Sequence, residues 1–82
     1  MMDKVRKADK KLIERIVDSE DQGEILIIID LHERKSYVFN RTVALIWREL
    51  PSTVENLTAS YPREIVEETL KLLSAKELIK VE

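Results

Sequence analysis

Cysteine is absent from this chain and histidine occurs once, as His32. That excludes a disulfide framework, a thiolate nucleophile, a zinc ribbon and a histidine-built metal site. One glycine and two prolines leave little punctuation, so element boundaries must be read from changes of hydrophobic period. Long apolar runs are missing too. The longest, Ile25 to Ile29, falls far short of the ~20 residues of a membrane-spanning helix, and the charged opening Met1-Met2-Asp3-Lys4 carries no secretory apolar segment. A cytoplasmic chain with no membrane partner is expected. No Gly-rich phosphate loop, GxSxG elbow or metal-ligand spacing occurs, so neither cofactor nor catalysis is expected.

What is present is 82 residues, 44% hydrophobic and 37% charged, enough for one small domain with a single core. The charge is uneven. Residues 1–15 carry six basic and three acidic groups, and the remaining 67 carry eight basic and thirteen acidic, a net of −5. A body of that sign is a poor partner for polyanions, so nucleic acid is disfavoured. The basic run Lys4, Arg6, Lys7, Lys10, Lys11 reads as a flexible, solubilising segment spanning residues 1–11.

Periodicity orders the rest. Leu12, Ile13, Ile16 and Val17 fall at a spacing that helical period accepts more readily than alternation. Asp18 to Glu24, holding the only glycine, is a turn. Ile25 to Ile29 is rich in β-branched residues and is the clearest strand. Lys35 to Phe39 alternates and forms its hairpin partner, with Tyr37 and Phe39 on one face.

Asn40 is a good N-cap for a helix whose apolar stripe is Val43, Ile46, Trp47 and Leu50, and Phe39 with Ala44 has the spacing of a hydrophobic staple. Pro51 ends that helix. Ser52 and Glu55 offer a capping box for a second helix reaching about Ser60. Pro62 suits the first turn of a third, ending near Glu77, with neighbouring stripes of Val66, Leu70, Leu73 and Ile65, Thr69, Leu72. Leu78 to Val81 is a short apolar tail, an extra strand or a cover for the core. The order predicts an α+β domain, a small sheet packed on three helices, the last two resembling a helix-turn-helix pair.

No candidate for chemistry emerges. His32 sits in a charged turn without a Ser or Cys partner. Glu67 and Glu68 splay about 100° apart on a helix and cannot converge. Trp47 and Phe39 lie on core faces. What remains is a surface: a sheet of two or three strands exposes an edge able to pair with an extended chain, and Lys35 to Phe39 is the candidate edge. The second stripe of the third helix either walls a groove beside that edge or is simply buried.

Tyr37-Val-Phe-Asn40-Arg-Thr42-Val-Ala44-Leu-Ile46-Trp47-Arg-Glu-Leu50 is similar to a strand followed by Asn-x-Thr-x-Ala-x-x-Ile-Trp-x-x-Leu. Thr53-Val54-Glu55-Asn56-Leu57 and Leu73-Ser-Ala-Lys-Glu77-Leu78-Ile79 follow in the matching order. Together these motifs make residues 12–82 resemble the PqqD-like family, the recognition elements for ribosomally made, post-translationally modified peptides. Two positions depart from the pattern. Pro51-Ser52 stands where the family has Asp-Gly, and Glu77 stands where it has a helix-capping glycine.

The resemblance implies a winged-helix-like fold, with a three-stranded antiparallel sheet packed on a three-helix bundle, and it makes Leu12 to Val17 the first strand. It implies a non-catalytic chaperone that binds the leader of a precursor peptide and presents it to a modifying enzyme, often a radical S-adenosylmethionine protein. The leader adds as a strand along Lys35, Ser36, Tyr37 and Val38, its side chains entering a cleft walled by Ile65, Glu68, Thr69 and Leu72. Two other readings stand beside it. One is a winged-helix DNA-binding regulator, opposed by the acidic balance of residues 53–77. The other is a homodimer formed through the free edge.

Overall fold

The structure, a computed structural model, describes residues 3–82. It is an α+β fold with β1 (Lys4–Lys7), β2 (Leu12–Ser19), β3 (Gly23–Asp30), β4 (Lys35–Phe39), α1 (Arg41–Arg48), β5 (Ser52–Thr53), α2 (Val54–Ser60), α3 (Arg63–Ala75) and β6 (Ile79–Val81). Two antiparallel sheets of three strands form, ordered β2-β3-β4 and β5-β1-β6. Only the first is predicted from the sequence. The chain groups into two compact units, Asp9–Arg48 and the two flanking segments up to Ala8 and from Glu49 to Glu82.

The unit Asp9–Arg48 is a meander closed by a helix. Leu12 to Val17 is strand, so the helical period suggested by its spacing is overturned and the strand implied by the resemblance stands. The physical reason is that this strand carries apolar side chains on both faces. Leu12 and Ile16 pair with Asp30 and Leu26, while Ile13 and Val17 pair with Ile29 and Ile25 on the opposite face. Two faces of alternation, superimposed, mimic a helical spacing. The ladder runs to Ser19↔Gly23, where Gly23 takes a φ of 73° that a residue without Cβ adopts at no steric cost.

Along β3, Leu26, Ile28 and Asp30 are buried and the intervening isoleucines half-buried. The backbone amide of Val43 donates to Asn40 Oδ1 at 3.1 Å, making Asn40 the cap that starts α1 as the sequence predicts. Helix α1 buries Val43, Ala44, Ile46 and Trp47 and packs on β3. The indole Nε1 of Trp47 donates to Glu14 Oε1 on β2 at 3.1 Å, which satisfies the polar edge of a ring that is otherwise in the core.

The second unit is built on β1. Residues 4–7 fall within the segment read as a flexible arm, and the structure corrects that reading for them: β1 pairs with β5 on one side and β6 on the other, and Val5 is fully buried. One apolar residue among cations is too sparse for periodicity to register, yet it fills the middle of a three-stranded sheet. Arg6 Nε lies 2.6 Å from Glu82 Oε1. Residues 1 and 2 of the expected arm lie outside the described residues.

Helix α2 begins one residue later than the capping box predicts. Thr53, not Ser52, is the cap, its Oγ1 accepting from the amide of Asn56 at 3.0 Å. The cause is that Ser52 is held in the ladder opposite Val5. Helix α3 buries Val66, Thr69, Leu70 and Leu73 and stops at Ala75. There the amide of Leu78 donates to the carbonyl of Leu73, that of Glu77 donates to Ser74, and Glu77 has a φ of 56°. This is a Schellman cap with a glutamate in the left-handed position normally held by glycine. Leu78 and Ile79 are buried, and the tail forms β6.

Candidate functional site

The β3–β4 hairpin is organised by a buried aspartate. Asp30 closes the isoleucine run, and its Oδ1 accepts from the amides of His32 and Glu33, both at 3.0 Å. Such an Asx turn reverses the chain without backbone partners from the ladder. Arg34 completes the reversal at a φ of 57°. Lys10 Nζ lies 2.7 Å from Asp30 Oδ2. The hydrogen bond from Lys10, with the amides of Glu33 and His32, holds the Asp30 carboxyl below the usual carboxylate range against the opposing effect of desolvation. An aspartate directly after an aliphatic strand and before a four-residue turn was the available signal, but composition alone places Lys10 in a solvated basic run.

That turn fixes the register Asp30↔Lys35, Ile29↔Ser36, Ile28↔Tyr37, Ile27↔Val38 and Leu26↔Phe39. Among the described residues strand β4 has β3 as its only sheet neighbour, so its other side is an edge. Lys35 and Ser36 are exposed, Tyr37 is half-buried, and Val38 is 68% exposed. The rings of Tyr37 and Phe39 stack at 5.9 Å on the face shared with Leu26 and Ile28, stiffening the strand from the side of its core. Strand β2 is the opposite edge of the same sheet.

The helix residues expected to act with this edge lie on α3, in the other unit. Ile65, Glu68, Thr69 and Leu72 share one helical stripe by their spacing. Ile65 is half-buried, Glu68 exposed, Leu72 39% exposed and Thr69 buried. The neighbouring surface is acidic: Glu64, Glu67 and Glu68 are exposed, and Arg63 lies 3.7 Å from Glu67 one turn away. His32 is exposed in the hairpin turn.

Among the described residues no group of three or more His, Cys, Asp or Glu side chains is placed to hold a metal ion, and no helix is long and apolar enough to cross a membrane. No family model, curated protein or solved structure matches this chain.

Proposed function

We propose that this chain is a non-catalytic peptide-recognition module, which takes the leader of a ribosomally made precursor along β4 as a fourth strand and presents it to a separate modifying enzyme. The observation that carries the reading is the edge position of β4, with one sheet neighbour and with Ser36 and Val38 exposed. Every second residue of an edge strand turns its amide and carbonyl outward, and an extended peptide completes that ladder. Backbone pairing supplies affinity, and alternate side chains supply register. The motif resemblance to PqqD-like proteins adds the class of guest, a leader peptide, the class of partner, such as a radical S-adenosylmethionine enzyme, the cytoplasmic setting and the winged-helix-like architecture. The same resemblance implies Ile65, Glu68, Thr69 and Leu72 of α3 in selection among guests; of these Glu68 and Leu72 are exposed, Ile65 is half-buried and Thr69 is buried.

The test is titration of a labelled leader, taken from a short reading frame beside this gene, against the full chain and against Val38→Pro. Micromolar binding that the proline removes, with the helical circular dichroism retained, supports the docking strand. Equal affinity in the variant contradicts it. The alternative of a DNA-binding regulator is opposed by the carboxylates of α3, which repel a phosphate backbone. Tight duplex binding that falls steeply with salt would reverse that preference.

A further inference from the structure

The sheet β2-β3-β4 has a second face that the peptide reading does not use. Ile25, Ile27 and Ile29 alternate with the buried side chains of β3 and point away from them. Leu31 continues that row and is 46% exposed. Across the ladder, Ile13 opposes Ile29, Val17 opposes Ile25 and Val38 opposes Ile27, and Ile13 and Val17 are 44% and 38% exposed. The result is an aliphatic surface on the order of 300 Å², comparable to the largest apolar patch of an ordinary monomer, which is often functional. Arg15, opposite Ile27, is the one charged side chain within it.

The charges at its two ends select the occupant. Exposed Glu20 and Asp21 form the β2–β3 turn, while at the other end of the strands exposed Lys11, Arg34 and Lys35 outnumber the exposed Glu33 of the hairpin turn. We propose that this face binds a second copy of the chain, face to face with strand directions reversed, so that the acidic turn of each copy lies over the basic end of the other. A two-fold axis lying in the interface and perpendicular to the strands produces this pairing, whereas one parallel to the strands would stack like charges. Aligned packing of two twisted sheets about 30° apart accommodates it.

An apolar centre of this size with a charged rim places the interface at or below the low end of specific interfaces, which bury about 1,200 Å² in total. The dimer is therefore weak and concentration-dependent. Arg15 weakens it further: its stem can lie along the aliphatic surface, but its guanidinium must reach past the rim of β2 to water. The outer rim of β4 stays open, so this interface does not depend on the peptide reading.

Sedimentation of the full chain from about 10 μM to about 1 mM, the range a small interface requires, is the test. The expected result is a monomer that converts to dimer, weakened at least about tenfold by Ile13→Gln with Val17→Gln and tightened several-fold by Arg15→Met. A second measurement leaves the apolar residues alone. Glu20→Lys with Asp21→Lys, and separately Lys11→Glu with Arg34→Asp, each dimerise less than the parent, and an equimolar mixture of the two forms a heterodimer. A chain that stays monomeric throughout overturns the proposal. So does a dimer indifferent to the face variants, or a mixture that associates no better than its components.

Discussion

Glu77 holds a left-handed backbone conformation at the end of α3, a state that costs a residue with a Cβ about 1 kcal/mol relative to glycine. Glu77→Gly is therefore expected to stabilise the fold by about 1 kcal/mol, raising the midpoint of thermal unfolding by several degrees; an unchanged or lowered midpoint would show that the cap is not what ends the helix. Glu77 stands where glycine is usual in the motif the sequence resembles, and only the backbone shows that glutamate takes up the same geometry.

Asp30 supplies a residue-scale prediction about pH. Its carboxyl is held below the ordinary value, chiefly by Lys10, so the folded state binds that proton less readily than the unfolded chain does. The stabilisation is complete at neutral pH and is lost as pH falls below about 4, through the depressed value. Thermal melts between pH 7 and 3 should show this loss, and Asp30→Asn should flatten that part of the profile while lowering stability at neutral pH. Trp47, whose burial is legible from its place on the helical stripe, is expected to cost about 3 to 5 kcal/mol on truncation to alanine, read by denaturant titration.

Elements were legible to the extent that a single period governed them. The isoleucine run of β3, the Asn40 cap and the stripe of α1 each express one consistent pattern, and each forms as predicted. The period of β2 pointed to helix because two apolar faces overlaid their alternations, and only the motif resemblance implied the strand that forms. The Ser52 capping box failed for a different reason: a long-range ladder to Val5 holds Ser52 as strand and passes the cap to Thr53, which local sequence cannot report. Thr53→Ala is expected to cost about 1 kcal/mol and Ser52→Ala less, with equal losses contradicting the reassignment. For the candidate site, the edge strand was legible from the hairpin pattern, while the burial of Thr69 on α3 was not, since an apolar stripe does not say which of its members are covered.

At the scale of the whole molecule, the fold depends on a segment that composition alone would discard. Strand β1 carries one buried residue, Val5, and joins β5 to β6, so Val5→Asp should destabilise the chain by roughly 3 kcal/mol or more by burying an unpaired charge. A solvated arm would tolerate the same change. The functional account rests on the other sheet, whose β4 edge is proposed to recruit a guest lengthwise. Amide hydrogen exchange on the full chain, with and without a saturating leader peptide, examines that claim residue by residue. Slowed exchange confined to alternate amides of Lys35 to Val38 is the predicted result, and a bound peptide that leaves the exchange of β4 unchanged would contradict it.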